Sequence, residues 1–329
     1  MDKFKNKLRV LYGEKAGVIA ERLADILEEF KALGKQPEIS KWLSEEDVVL
    51  ITYGDTIKDE GRKDLEVLRY FLKKYFSDVI SIVHILPFFP YSSDDGFSVI
   101  DYEKVDEKLG DWENIIELSG DFDLMFDAVI NHISAQSPWF KGFLEGKEGY
   151  EDFFITVDSD TDLSEVTRPR AKPLLTPFET NEGQKYLWTT FSADQVDLNF
   201  KNEEVLLKVI KILLLYIQKG ARLIRLDAIA YLWKEIGTSC IHLKETHTVI
   251  QLFRDIFEEV APGVLIITET NVPHQENISY FGNGENEAHL VYQFCLPPLV
   301  MHSFAVGNAE KLAHWAAGLD TCSGGTSYF

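Results

Sequence analysis

The sequence predicts an α/β protein of the (β/α)8-barrel kind, incomplete, with about six of eight strands present and a small insertion after strand three. Three observations carry that expectation. Apolar, β-branched runs alternate with helical patterns, which implies parallel strands joined by right-handed crossovers. The runs are apolar on both faces, as strands covered on both sides require. Polar residues gather at the C-terminal ends of the third, fourth and fifth runs (Asn131 and His132, Asp227, Glu269), and in a barrel that face builds the active site. An open doubly wound sheet would carry a glycine-rich phosphate loop after its first strand, and TYGDTIKDEG at 52–61 matches one poorly.

The elements follow in order. VVLITY (48–53) reads as the first strand, with a helix over 65–76 after it. SIVHILPFF (81–89) is the second, followed by a helix over 112–119, and DLMFDAVINH (123–132) is the third. A polar, proline-bearing stretch from Ile133 to about Phe200 then breaks the rhythm. A long helix over 202–220 comes next, closed by Gly220. RLIRLDAI (222–229), a helix over 245–260, VLIITET (264–270) and HLVYQFCL (289–296) complete the series. The expected division is an N-terminal helix and the first part of the barrel over 1–132, an insertion over 133–200, and the barrel's continuation over 201–329, ending before a seventh strand is complete. Closure takes eight strands, so the arc is expected to leave two unpaired edges.

Composition bounds the partners. With 45% apolar and 12% aromatic residues, the 329-residue chain can bury a sizeable core, which excludes disorder. The net charge of -21 repels polyanions and argues against nucleic acid. A few arginines in a cleft can still hold a small anion. The opening MDKFKNKLRVLYGEK lacks the apolar stretch of a signal peptide, and the apolar run within 205–217 falls short of a membrane span. Cys240, Cys295 and Cys322 are widely spaced with no CxxC pair, so they read as reduced thiols of a cytoplasmic protein without a zinc site. The sequence carries no signal for an oligomeric state.

Two carboxylates stand out. Asp227 follows Arg225 by two residues, so in a strand both side chains share a face. An arginine there is expected to keep the carboxylate ionised and lower its pKa, which suits a nucleophile; a structural ion pair at a strand end fits the spacing equally. Glu269 ends the next strand in an apolar setting, where a carboxyl can stay protonated and act as a general acid; a capping or ion-pairing role is the plainer reading. Together they have the arrangement that retaining glycosidases need, with one group attacking the anomeric carbon and the other protonating the leaving oxygen. His132 lies on the same face, as a sugar-binding donor or a packing residue. Asp127, four residues before Asn131, reads as a buried structural group. Asp94, Asp95, Gly96 and Phe97 combine carboxylates with an aromatic, as pyranose sites do, and are also plain turn chemistry. Arg168-Pro169-Arg170 forms a stiff basic prong, for anion recognition or local pairing. Trp188 and Phe191 either wall a sugar site or anchor the insertion to the barrel.

In this order, PFFPYSSDDGFSVIDY, DAVINH, RPR, QVDLNF, RLDAIAY, KEIGTSC, TETN and LPPLVMH resemble the sucrose phosphorylase group of the α-amylase family (glycoside hydrolase family 13), from about Val48 to Trp315. TSCIHL and TETNVPHQENISYFG are most similar to the glucosylglycerate phosphorylases within that group. The resemblance implies a double displacement with retention, ending in attack by inorganic phosphate on a glucosyl group taken from a small α-glucoside, without a cofactor. It implies Asp227 as nucleophile, Glu269 as general acid/base, and Arg225, His132, Asp95 and Phe97 as glucose-site residues. Arg170 matches an arginine in the loop over the site. Thr167 stands where sucrose phosphorylases carry a tyrosine just before RPR, which weighs against sucrose as substrate. Asn131 matches a calcium ligand of many amylases, but the phosphorylase group generally does without the ion, so no metal is expected. The family's His-Asp motif at the end of strand seven is not reached. Loss of a positioned charge of that kind slows a reaction by about 10²–10³, so the polypeptide alone is expected to have little or no activity. An α-glucosidase or transglucosidase on the same scaffold, and a non-catalytic sugar-binding barrel, are the alternatives.

Overall fold

The computed structural model describes residues 2–34, 42–320 and 326–329; Cys322 lies outside them. Two N-terminal helices, α1 (Asp2–Tyr12) and α2 (Ala16–Ala32), bury Phe4, Leu8, Leu23 and Leu27. The alternation then begins: β1 (Val49–Thr52), α3 (Asp64–Tyr75), β2 (Ile82–Ile85), α4 (Trp112–Ser119) and β3 (Asp123–Ala128). An excursion carries β4 (His132–Ser134), α5 (Pro138–Leu144), β5 (Thr156–Val157), β6 (Leu175–Thr180), β7 (Gly183–Trp188) and β8 (Gln195–Asp197). The series resumes with α6 (Glu203–Gln218), β9 (Ala221–Leu226), α7 (Lys244–Val260), β10 (Leu265–Thr268), α8 (His274–Ile278), β11 (Leu290–Val291), α9 (Leu296–Val306), α10 (Glu310–Ala317) and β12 (Ser327–Tyr328).

Seven strands form one parallel sheet in the order β1-β2-β3-β9-β10-β11-β12. It is a barrel wall with β1 and β12 at its margins, and β12 starts the seventh strand that the sequence places at its end. The excursion pairs antiparallel, as β4-β8 and β5-β7-β6, apart from the wall.

Several strands are shorter than their apolar runs. Pro87, which lacks an N–H, follows the end of β2 closely. The run expected as a strand over 289–296 pairs only at Leu290–Val291; Pro297 and Pro298 instead sit in the first turn of α9, where missing N–H groups leave no bond unmade. Gly220 takes φ 103°, as the stop after α6 requires.

Strand alternation sorts the wall into two faces. Leu124, Phe126, Ile224, Leu226, Ile266 and Val291 turn outward into the large helix-packed core. Ile82, Met125, Leu223, Leu265, Ile267 and Leu290 turn inward and form a separate apolar plug inside the barrel. One step of two residues further along each strand, the inward positions become His84, Asp127, Arg225, Glu269 and Tyr292. The polar residues therefore sit on the plug, at the C-terminal end of the wall.

Candidate active site

The register of β3 against β9 sets Asp127 opposite Arg225. Arg225 Nη1 donates to Asp127 Oδ1 at 2.5 Å and to Asp227 Oδ1 at 2.7 Å, while Nη2 lies 4.0 Å from Glu269 Oε2. The guanidinium is held between two aromatic faces, with its carbon 5.6 Å from the Phe97 ring centre and 5.4 Å from that of Tyr292. Contacts with two rings and two carboxylates restrain it, so its donors are aimed before any ligand arrives. The backbone completes the frame. Asp227 N–H bonds Ala128 O, Glu269 N–H bonds Leu226 O, and Ala228 turns left-handed at φ 49°, with its N–H donated to Glu269 Oε2 at 2.9 Å. Asp227 and Glu269 thus meet in one compartment.

The electrostatics differ from the expectation in one respect. Burial pushes the Asp227 carboxyl above the ordinary aspartate range; Arg225 pulls it down, and Asp127 adds to the rise. Its side chain is 11% exposed, and desolvation outweighs the ion pair, so the arginine does not produce the expected net lowering. Burial also raises Glu269, with the charge of Asp227 as the next cause. Asp127 moves the other way: burial resists, but His84 and Arg225 together hold it below the usual range. The Asp227–Glu269 pair titrates as a unit. Arg225 is bonded to Asp227 and more distant from Glu269, so it favours the ionised form at Asp227 more than at Glu269.

His132 is buried against the same rim. Its Nε2 lies 2.9 Å from Phe97 O, and its Nδ1 lies 3.2 Å from Asn131 Nδ2. The amide of Asn131 is oriented by Lys234, whose Nζ donates to Asn131 Oδ1 at 2.7 Å and reaches Asp197 Oδ2 at 2.5 Å. Asn131 Nδ2 therefore faces Nδ1 as a donor, while Nε2 lies between Phe97 O and the Gln195 amide nitrogen, 3.2 Å away. Both ring nitrogens are already engaged by the protein, so a sugar hydroxyl would have to displace Phe97 O. The Lys234 ammonium fills the space between Asn131 and Asp197, and burial lowers its pKa against the pull of Asp197.

The DDG turn is tightly built. Gly96 takes φ 105°, and a Cβ there would stand 2.8 Å from Pro87 O. Asp94 and Asp95 also take left-handed backbone. Asp94 Oδ2 accepts from Gln195 Nε2 at 2.9 Å and lies 3.8 Å from Arg170. Asp95 is exposed and opens on a cavity of about 420 Å³ shared with Tyr53, Tyr91 and Lys108. Arg170 lies over the Phe191 ring, which contacts His132 and Tyr231. Arg168 instead bonds Lys172 O and takes no part. Of the two aromatics, Phe191 is at the site, whereas Trp188 is buried in a small core that joins insertion residues to Cys240 of the barrel's continuation, as an anchor of the insertion would be.

Sequence reasoning assigned no role to Gln195, Lys234, Tyr231 or Tyr292. Lys234 sits in an apolar run, AYLWKE, where nothing announces a buried ammonium. Asp197 and Gln195 lie in QVDLNF, noticed as a motif without a function for either.

Known proteins resemble this chain along most of its length. The alpha amylase catalytic-domain family matches residues 71–317. A glucosylglycerate phosphorylase of Allomeiothermus silvanus is 56% identical over 98% of this chain and 57% of its own length. Another, from Escherichia coli, is 52% identical over 94% of this chain and 55% of its own. A crystal structure of sucrose 6F-phosphate phosphorylase from Thermoanaerobacter thermosaccharolyticum superposes with a TM-score of 0.74 at 29% identity, over 85% of this chain and 58% of that one. The chain thus spans little more than half the length of these relatives.

Proposed function

The chain belongs to the alpha-amylase catalytic-domain family, and on that premise we propose that it carries the nucleophile and the acid of a retaining α-glucoside phosphorylase, with glucosylglycerate as the favoured donor. The observation that supports this reading most directly is the sharing of Arg225 by Asp227 and Glu269.

In the first displacement an Asp227 oxygen attacks the anomeric carbon. The bond to the glycosidic oxygen breaks, and that oxygen takes the proton of Glu269 and leaves as glycerate's hydroxyl. In the second, a phosphate oxygen attacks the same carbon, Glu269 recovers a proton from the phosphate, and the ester to Asp227 breaks. Two inversions return the α configuration, as α-glucose 1-phosphate. Arg225 holds the attacking oxygen in place and keeps the charge on it, and burial keeps the proton on Glu269. Arg225, Phe97, His132 and Asp95 frame the glucosyl group. Arg170, 3.8 Å from Asp94, is the cation assigned to anion recognition. The 133–200 segment, with its own sheets, serves as the small insertion domain over the site. These steps call on no cofactor, and Lys234 holds a positive charge at Asn131, where many amylases bind calcium.

A cytoplasmic setting belongs to the same reading. Cys240 and Cys295 are free thiols, and no described helix is long and apolar enough to cross a membrane.

The test, run on a chain of the relatives' full length, is a mass-spectrometric search for the glucosyl ester after reaction with 5-fluoro-α-glucosyl fluoride, with assay of phosphate-dependent glucose 1-phosphate release from glucosylglycerate. A label on the Asp227 peptide is expected. A label on another residue would sink the assignment, as would turnover undiminished in Asp227→Asn. Release of free glucose in preference to the phosphate ester would make the enzyme a hydrolase.

A further inference from the structure

One buried titratable side chain takes no part in the steps above. His84, on the inner face of β2, is 1% exposed, and its Nε2 lies 2.9 Å from Asp127 Oδ2. The other oxygen of Asp127 accepts from Arg225 Nη1 at 2.5 Å, and the same nitrogen donates to Asp227 Oδ1 at 2.7 Å. An unbroken line of contacts, His84–Asp127–Arg225–Asp227, therefore runs across the neighbouring strands β2, β3 and β9. Register fixes its spacing: His84 pairs with Met125, one inward step before Asp127, and Asp127 pairs with Arg225.

One guanidinium nitrogen serves two carboxylates, one through each of its two N–H bonds, so a movement of the guanidinium toward Asp127 draws it away from Asp227. An Asp127 free to turn would offer both oxygens to Arg225 as a bidentate partner and draw the guanidinium toward β3. The N–H of His84 engages Oδ2 and leaves only Oδ1 for the arginine. The imidazole has no other polar contact among the described residues, since its Nδ1 is buried without a hydrogen-bond partner. The preceding inward position on each neighbouring strand is apolar (Ile82, Met125, Leu223), so an aliphatic side chain at 84 would pack without stranding a ring nitrogen.

We propose that His84 is a positioning residue of the reaction: by occupying half of Asp127, it holds the Arg225 guanidinium on Asp227. The catalytic part of this inference rests on the reading of Asp227 as nucleophile; the aim of Arg225 does not.

The test compares His84→Phe, which fills the space without a donor, with His84→Gln, whose amide N–H reaches toward Asp127. Formation of the glucosyl ester is expected to slow on the order of 10- to 100-fold in His84→Phe, with little change in KM, and to recover most of that loss in His84→Gln. A His84→Phe rate within twofold of the parent overturns the proposal, and so does a His84→Gln as slow as His84→Phe. A second measurement needs neither variant to turn over. Long-range 15N NMR of the parent protein is expected to show His84 protonated at Nε2, and the Arg225 guanidinium resonances are expected to shift in His84→Phe and to stay near their parent positions in His84→Gln. An Nδ1–H tautomer, or Arg225 resonances that stay in place in His84→Phe, overturns it. If the parent forms no ester at Asp227, the reading of the nucleophile fails, and the Arg225 resonances alone then decide this proposal.

Discussion

Glu269 Oε2 accepts a 2.9 Å hydrogen bond from the backbone N–H of Ala228, the residue that follows Asp227. The two carboxylates are therefore tied through the backbone as well as through Arg225, and a change at one is felt at the other.

Asp227→Asn is expected to lower the pKa of Glu269. Burial is the first cause of its rise and the Asp227 charge the second, so removing that charge takes away only part of the elevation. A 13C NMR titration of the Glu269 carboxyl would follow it. A midpoint that stays put or climbs would show that the carboxylates do not sense each other. In the active protein, kcat/KM should fall on the alkaline side as Glu269 loses its proton and on the acid side as Asp227 gains one, giving a bell.

Glu269→Gln is expected to stabilise the fold at neutral pH. A carboxyl with its folded pKa above its unfolded value favours folding fully below the unfolded value, and that contribution is lost as pH rises through the folded one. Above that point the glutamate is a liability that glutamine lacks. A gain of about 1–3 °C in melting temperature at pH 8, vanishing toward pH 4, is the expected pattern. An equal gain at both pH values would point to packing instead of charge.

Lys234→Met should be severe. Asp197 is fully buried, and the ammonium 2.5 Å away is its charge partner. Leaving such a carboxylate unpaired costs about 3–5 kcal/mol, although Thr190 still donates to it through N–H and hydroxyl. Urea denaturation gives the number, and a loss below about 1 kcal/mol would show that Asp197 needs no cation. The double variant with Asp197→Asn should recover part of the loss.

Gly96→Ala tests the turn that carries Asp94, Asp95 and Phe97. Its φ of 105° and the 2.8 Å approach to Pro87 O leave no place for a methyl group. A loss of about 1–3 kcal/mol is expected, together with weaker glucoside binding as Phe97 shifts from its place over Arg225. Unchanged binding would separate the turn from the sugar site.

The parallel wall was legible because alternation is written in residue type: β-branched runs for strands, helical spacing between them, polar residues at one end. Asp227 and Glu269 were legible for the same reason, each ending a strand. Short strands misled wherever proline intervened, as at 289–296, because apolar content does not say whether an N–H is available to pair. The sign of the Asp227 shift was not legible either. The sequence shows Arg225 two residues away but not the depth of burial that outweighs it. Lys234, His84 and Tyr292 act through partners far away in the sequence, and no local pattern announces such contacts.

The apolar plug of Ile82, Met125, Leu223, Leu265, Ile267 and Leu290 has a kinetic meaning. It stops the barrel from below, so nothing passes the carboxylates along the axis. On the proposed reading, the alcohol that departs and the anion that replaces it share one doorway, so the first must clear it before the second enters.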